Sequence, residues 1–341
     1  MIKKLKVKNY KSLKDVELEL GKFNVLIGPN ASGKSNLLDC LAFVSESAQI
    51  ALTNSLTRRG GYVRVVFGEE KGNIEISIDF TRDNEASQYF ISFSESGIDN
   101  ERLLLGSKLE IDRQKVAAGT WIAAICSHTS KATEYLASLR SYNFITSSMR
   151  RTDSAKKNLI LDKDGGNLAQ VLLSLHNERP KTFDKIEDML KQAIPQIDEL
   201  LTPLTEEGQT YVAMREKGFE APFNYFQLSD GTLKLLAYIA AIASEEANVV
   251  CFEEPENFIH PRLFELLVEV LKKSDKQIIL STHSPYLVDF VEPEDVILVE
   301  KKGKETVTSR IVDGDKLKER LAELGLALGE YWYGGGLGGN P

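Results

Sequence analysis

Cysteine is scarce: Cys40, Cys126 and Cys251 are the only three in 341 residues. They are odd in number, widely spaced and set among apolar residues, without the C-x-x-C spacing of zinc or redox sites. That excludes a disulfide framework and a cysteine-bound metal, and it makes the thiols core residues of a protein suited to a reducing compartment. Long apolar runs are lacking too. Leu233 to Ala243 is among the longest, far short of the about 20 residues a membrane-spanning helix needs. The opening Met1-Ile-Lys-Lys-Leu-Lys has no apolar core of a secretion signal. A cytoplasmic protein with no membrane partner is expected. Positive charge is also in deficit. A formal net charge of −8 excludes a chain that coats nucleic acid by bulk charge. Only two basic stretches, Lys3 to Lys14 and Arg140 to Lys157, remain as local phosphate-binding patches or as solvated edges. No heptad persists, so a long coiled-coil arm is excluded, and no internal repeat is found.

What is present is an ordinary globular balance, 42% hydrophobic and 27% charged, with room for one large two-lobed domain or two smaller ones. IKKLKVKNY and KDVELEL alternate as strands do, and FNVLI is a short apolar run suited to a buried inner strand. SNLLDCLAFVSESAQIAL then takes helical spacing. From Tyr62 to about Ile111 period two returns in YVRVVF, NIEISIDF and QYFISFS, predicting an antiparallel sheet. From about Thr120 to Leu201 the pattern is helical in short pieces, interrupted by Gly165-Gly166, Pro180 and Pro195. From Gln227 helix and strand alternate: a helix over Thr232 to Glu246, strand NVVCFEE, a helix over Pro261 to Lys273, strand QIILST, a helix near Tyr286 and strand DVILVE. That order predicts parallel α/β structure.

Gly28-Pro29-Asn30-Ala31-Ser32-Gly33-Lys34-Ser35 matches GxxxxGK[ST] and lies between the strand FNVLI and a helix, where a phosphate-binding loop must lie. Glycines let successive N–H groups turn inward, and the following helix presents its positive end to phosphate. Lys34 is the expected partner of the β and γ phosphates of ATP, and the Ser35 hydroxyl a ligand of Mg²⁺. The run VVCFEEPE, Val249 to Glu256, then crowds three carboxylates at a strand end. Like charges so placed are costly unless a cation sits beside them. In P-loop ATPases such a strand ends in a carboxylate that holds the Mg²⁺ shell, and a second can position the attacking water. Glu253 is expected in the first role and Glu254 in the second. Glu256 is either a dimer contact or a polar turn residue. Strand QIILS ends in Thr282-His283-Ser284-Pro285, which sets an imidazole at the strand edge where ligands collect in α/β sheets. His283 is therefore expected to contact the γ-phosphate. His128, His176 and His260 have no such setting. Asp162-Lys163-Asp164 reads as a turn ahead of Gly165-Gly166 rather than a metal site.

Leu228-Ser229-Asp230-Gly231-Thr232, before the helix LKLLAYIAAIAS, resembles the LSGGQ signature of ABC-type ATPases, with Asp230 for Gly and Thr232 for Gln. The opening KKLKVKNYKSLKDVELELGKFNVLIGPNASGKSN resembles that of RecF, SMC and OLD-family ATPases, with a stretch of Asn, aromatic, Lys and Ser before the loop and Asn36 after its Ser. EEPENFIHP and LSTHSP resemble the OLD-like branch of AAA-family ATPases. The likeness covers about residues 1 to 44 and 226 to 300. Glu253 stands where many relatives have Asp, and the glutamine of the Q-loop has no clear counterpart; Gln88 is a weak match. The resemblance implies an α/β P-loop head of ABC-ATPase type, with a mixed, mainly parallel core sheet, an antiparallel β subdomain and a helical lobe. On that reading 1–341 is one two-lobed domain. It divides into a P-loop and antiparallel-sheet lobe (1–119), a helical insertion (120–222), a lobe with the signature, Walker B strand and His283 (223–330) and a flexible Gly-rich tail (331–341). It further implies a homodimer that sandwiches ATP, in which Ser229, Asp230 and Gly231 of one chain face the γ-phosphate held by the other. Two outputs follow as expectations. Closure gates duplex DNA in repair or in defence against foreign DNA, or it activates a separately encoded effector protein such as a nuclease. The second draws on the absence of a TOPRIM nuclease domain after the ATPase core.

Overall fold

The computed structural model describes residues 1–69, 72–114, 125, 130–243 and 247–338. Cys126, His128, the 119/120 boundary, the far end of the expected helix at Glu246 and the last three residues of the tail lie outside the described residues. Strand β1 (Ile2–Tyr10) buries Ile2, Leu5, Val7 and Tyr10 and turns its lysines outward; β2 (Leu13–Glu19) runs back beside it. All five residues of β3 (Phe23–Ile27) are buried, as in a strand covered on both faces. The next helix is shorter than its spacing suggests. It forms as α1 (Lys34–Ser47), and the chain restarts as α2 (Leu52–Thr57).

YVRVVF, expected as a strand, is instead the single helical turn α3 (Tyr62–Val65). So short a run cannot separate period two from period 3.6. At its end Val66 makes only an isolated antiparallel bridge to Tyr10, in which the Lys11 N–H donates to the Val65 carbonyl at 2.6 Å. Strands β4 (Ile74–Arg82), β5 (Glu85–Ser94), β6 (Gly97–Leu105) and β7 (Lys108–Gln114) complete an antiparallel sheet in the order β2-β1-β4-β5-β6-β7.

The middle contains the expected short helices α4 (Lys131–Ala137), α5 (Thr146–Met149), α6 (Leu168–Glu178) and α7 (Pro180–Ala193). Pro180 begins a helix instead of breaking one, because a first-turn residue needs no N–H. Strands interleave with these helices against expectation: β8 (Leu139–Tyr142), β9 (Asp153–Ser154), β10 (Ile197–Leu201), β11 (Gln209–Thr210), β12 (Ala213–Glu216) and β13 (Phe223–Asn224). In the last third, α8 (Asp230–Ala243), β14 (Val249–Glu253), α9 (Phe264–Lys273), β15 (Gln277–Thr282), α10 (Pro285–Val288) and β16 (Val296–Lys302) alternate as expected. They are followed by β17 (Glu305–Arg310), α11 (Gly314–Leu324) and α12 (Leu328–Tyr333).

The core sheet has the order β17-β16-β3-β15-β14-β8 and is parallel except for β17. Period two divides its side chains between two hydrophobic cores. Val25, Ile27, Val250, Phe252, Ile278 and Leu280 face the helices α6 to α9. Leu26, Val249, Cys251, Ile279, Ile297 and Val299 face α1 and the antiparallel sheet. Cys40 and Cys251 are buried free thiols, and burial pushes the Cys251 thiol up to about 12. Glycine-rich composition did not keep the C-terminal segment away from the fold. Trp332 is fully buried, Leu337 packs on the same core, and the N–H groups of Gly334 and Gly335 donate to the carbonyls of Glu330 and Trp332 at 2.9 Å. Among the described residues no helix is long and apolar enough to cross a membrane.

Candidate active site

Strand β3 and helix α1 meet through the loop Gly28 to Lys34, whose curl depends on backbone that only glycine tolerates well. Gly33 has a φ of 114°, and a Cβ there would lie 2.0 Å from Thr306 Oγ1; at Gly28 (φ 157°) it would lie 2.0 Å from the Val299 carbonyl oxygen. Strands β16 and β17 thus press directly against the loop. Gly33→Ala is expected to lower nucleotide affinity by at least about 10-fold, since strain and overlap combine; unchanged affinity by calorimetry would refute this packing argument. Lys34 is buried, and its Nζ donates to the carbonyls of Gly28 (2.7 Å) and Pro29 (3.0 Å). Burial lowers its pKa from the ordinary lysine value, opposed by Glu254, Glu256 and Glu253. The loop opens on a cavity of about 270 Å³ lined by residues 30–36 together with Ser12, Glu254 and Lys301.

The three crowded carboxylates occupy three different environments. Glu253, last in β14, accepts a hydrogen bond at Oε1 from the Ser35 hydroxyl. Glu254 lines the cavity with a φ of 45°, a left-handed conformation that costs a non-glycine residue about 1–3 kcal/mol. Its N–H donates to the Ser281 carbonyl (2.9 Å), and its Oε2 accepts from Asn257 Nδ2 (2.9 Å). His283 Nδ1 stands 3.3 Å from Glu254 Oε1. Glu256, expected as a dimer contact or a polar turn residue, lies in the turn after β14, but its side chain points inward. It is buried, and its Oε1 accepts from Thr282 Oγ1 (2.6 Å) and from the His283 N–H (3.1 Å). It therefore ties the end of β15 to the turn after β14. Glu256→Ala is expected to cost about 2–3 kcal/mol of stability, read by urea denaturation, because both bonds end on a buried carboxylate; a loss below about 0.5 kcal/mol would show the tie to be dispensable.

Lysines answer part of the like-charge problem within the chain. Besides Lys34, Lys234 on α8 is buried with its Nζ 5.4 Å from the Phe258 ring centroid. Burial lowers its pKa, opposed by Glu256, Asp230 and Glu254. On the other side of the loop a hydroxyl chain joins distant segments. Asn36 Nδ2 donates to Ser12 Oγ (2.7 Å), Ser12 Oγ lies 2.7 Å from Thr306 Oγ1, and Thr306 Oγ1 donates to the Ser32 carbonyl (2.8 Å). The serine ahead of the loop and the asparagine after it are thus physical partners.

A protein-family model described as "AAA domain, putative AbiEii toxin, Type IV TA system" matches residues 23–289, well over half of the chain. The chain belongs to this family. It is an ABC/AAA-type ATPase of the SMC/OLD-like group, in accord with the resemblance read from its motifs. The OLD nuclease of Thermus scotoductus is 25% identical over 369 residues, covering 93% of this chain and 65% of its own. The chain thus spans less than two thirds of that relative's length. The ATP/GTP phosphatase of Helicobacter pylori is 20% identical over 338 residues, 88% of this chain and 89% of that one. A solved Smc head bound to the C-winged helix domain of ScpA superposes with a TM-score of 0.67 at 15% identity, over 93% of this chain and 99% of that one. Both structure and comparison give the α/β P-loop head fold.

In this SMC/OLD-like ATPase the signature segment does not join the cavity. Ser229 is exposed and caps α8, its Oγ accepting from the Thr232 N–H at 3.1 Å, and it is not among the residues that line the loop. Gln88 is on β5 and donates to Asp79 Oδ1 at 2.6 Å, also away from the cavity. Asp164 accepts from the Gly166 N–H (3.0 Å), as a turn residue would. The basic stretches are largely matched by internal partners. Lys6 pairs with Glu17, Lys11 with Asp39 and Lys14 with Glu305, while Lys157 pairs with Glu178 and Arg150 with Asp230. Sequence reasoning noted Ser12 only as part of a family motif, with no role, and passed over Lys234, Thr306 and Lys301. The Asn36 spacing was a usable signal for Ser12; Thr306 and Lys301 are hundreds of residues from the loop and left none.

Proposed function

We propose that this chain is a Mg²⁺-dependent ATPase that works as an ATP-closed homodimer. The observation that carries the reading is the meeting of Ser35 with Glu253, beside a cavity that holds Lys34 and Glu254 together. The site fits a polyphosphate and its cation. Among the described residues Ser32 Oγ is buried without a hydrogen-bond partner, glycines make the curl, and a hydroxyl touching a carboxylate is the hard oxygen pair that Mg²⁺ favours. Ser35 and Glu253 would hold the ion, which when bound neutralises charge across the β and γ phosphates. Residues Gly28 to Asn36 would cradle the phosphates through their N–H groups, and Lys34 would exchange its loop carbonyls for phosphate oxygens, a charge-assisted and stronger pairing.

Glu254 would orient a water in line with the γ-phosphorus and accept its proton as the new P–O bond forms and the bond to the β-phosphate oxygen breaks. Asn257 holds one carboxylate oxygen for that task. His283, beside the other oxygen, would donate to the γ-phosphate. Because Ser229, Asp230 and Gly231 do not line the cavity of their own chain, the proposal gives them to a partner's γ-phosphate. Lys34→Ala mixed with Ser229→Arg chains is then expected to recover turnover that neither has alone; no recovery would argue against sites completed in trans.

The output we favour is gating of duplex DNA, in repair or in defence against foreign DNA. The similarity to the OLD nuclease of Thermus scotoductus supports it. The internal pairing of Lys6, Lys11, Lys14 and Arg150 favours the second reading, in which the closed dimer activates a separate effector protein. Binding of the Glu254→Gln protein to a short duplex, with and without Mg-ATP at two salt concentrations, separates the two. ATP-dependent and salt-sensitive binding supports DNA handling. Closure without binding supports the effector.

A further inference from the structure

We propose that Arg150 is a positioning residue that cancels the charge which Asp230 brings to the signature loop and holds that loop in shape. The inference rests on the reading that this loop meets the ATP of a second head. Arg150 follows α5, and all three of its guanidinium nitrogens are spent on the loop. Nη2 donates to Asp230 Oδ1 (2.6 Å) and to the Leu228 carbonyl (2.6 Å), Nε to Asp230 Oδ1 (3.2 Å), and Nη1 to the carbonyls of Tyr225 and Phe226, the latter at 3.3 Å. The planar fork suits such multiple donation, which a lysine could not reproduce.

Asp230 occupies a position where the signature otherwise carries glycine. A bare carboxylate there would face a polyphosphate across the closed dimer and repel it. Paired with Arg150, it instead fastens the loop at the start of α8, beside Ser229. The position of Arg150 is itself set by aromatic packing. Phe144, just ahead of α5, lies 5.0 Å from Tyr238 of α8 and 6.2 Å from Phe252 of β14 between ring centroids. The segment from β8 to Arg150 thus links the strand ending in Glu253 to the signature loop of the same chain, the two elements that serve different ATP molecules in a sandwich.

The test is steady-state turnover together with nucleotide affinity. Arg150→Ala is expected to lower kcat at least about 10-fold, while its own loop binds a non-hydrolysable ATP analogue within about 2-fold of wild type, the pattern of a group that acts after binding. Adding Lys34→Ala chains, which carry an intact signature, should restore turnover to Arg150→Ala chains. The double variant Arg150→Ala with Asp230→Gly should recover most of the loss, since the uncancelled charge is then gone. Recovery in either form also shows that the variant folds. A double variant as slow as Arg150→Ala overturns charge cancellation. Arg150→Ala at the wild-type rate while Ser229→Arg is inactive overturns the Arg150 role alone. Both at the wild-type rate overturn the two-headed reading and this inference with it.

Discussion

Lys34→Ala is expected to abolish nucleotide binding, with affinity lower by at least about 100-fold, because the charge-assisted contact is lost in a partly desolvated setting. The local electrostatics make the effect larger than the loss of one contact. Glu253, Glu254 and Glu256 all act on Lys34. Without it, a polyphosphate entering the loop meets Glu254 in the cavity and the field of Glu253 and Glu256 behind it, with a buried opposing cation removed. The fold itself should survive. Burial disfavours the charged lysine, as the direction of its pKa shift records, so its ammonium contributes to phosphate binding more than to stability. Calorimetric titration with Mg-ATP checks the first claim and a melting curve the second. Retained micromolar affinity in Lys34→Ala would sink the loop assignment.

Glu254→Gln is expected to bind ATP with near wild-type affinity and to turn over about 10²- to 10⁴-fold more slowly, the range for loss of a positioned general base. The substitution preserves shape. A glutamine oxygen can still accept from Asn257 Nδ2, which stands 2.9 Å from Glu254 Oε2, and the left-handed backbone at this position is unchanged in kind. What is lost is the negative charge that takes a proton from water. ATP should then hold the dimer closed, and light scattering with and without Mg-ATP should register the change in mass. Unaltered turnover would remove Glu254 from the role of catalytic carboxylate. A large loss of ATP affinity would show instead that its charge is needed to organise the loop.

Much of the fold was legible because the pattern is local. Five consecutive apolar residues mark β3, a glycine-rich turn and helical spacing follow, and alternating elements predict the parallel strands β14, β15 and β16. YVRVVF misled because so short a run carries no decisive period. Strand β8 escaped notice for a related reason: its four residues become a strand by pairing with Val249 to Phe252, a partner far along the chain.

The sequence alone determined which chemistry the site can carry: a loop able to cradle phosphate, a hydroxyl and carboxylate for a hard cation, a second carboxylate and a histidine. Those residue types act through intrinsic acidity, charge and backbone freedom, which do not depend on distant neighbours. Only the tertiary structure decided how three glutamates within four positions divide their work, with Glu253 on Ser35, Glu254 at the cavity and Glu256 tied to Thr282 and His283. It likewise joined Ser12 to Thr306 and Arg150 to Asp230. Such pairings are set by where packed strands and helices bring side chains of high sequence separation within hydrogen-bond reach, and no local period encodes that distance.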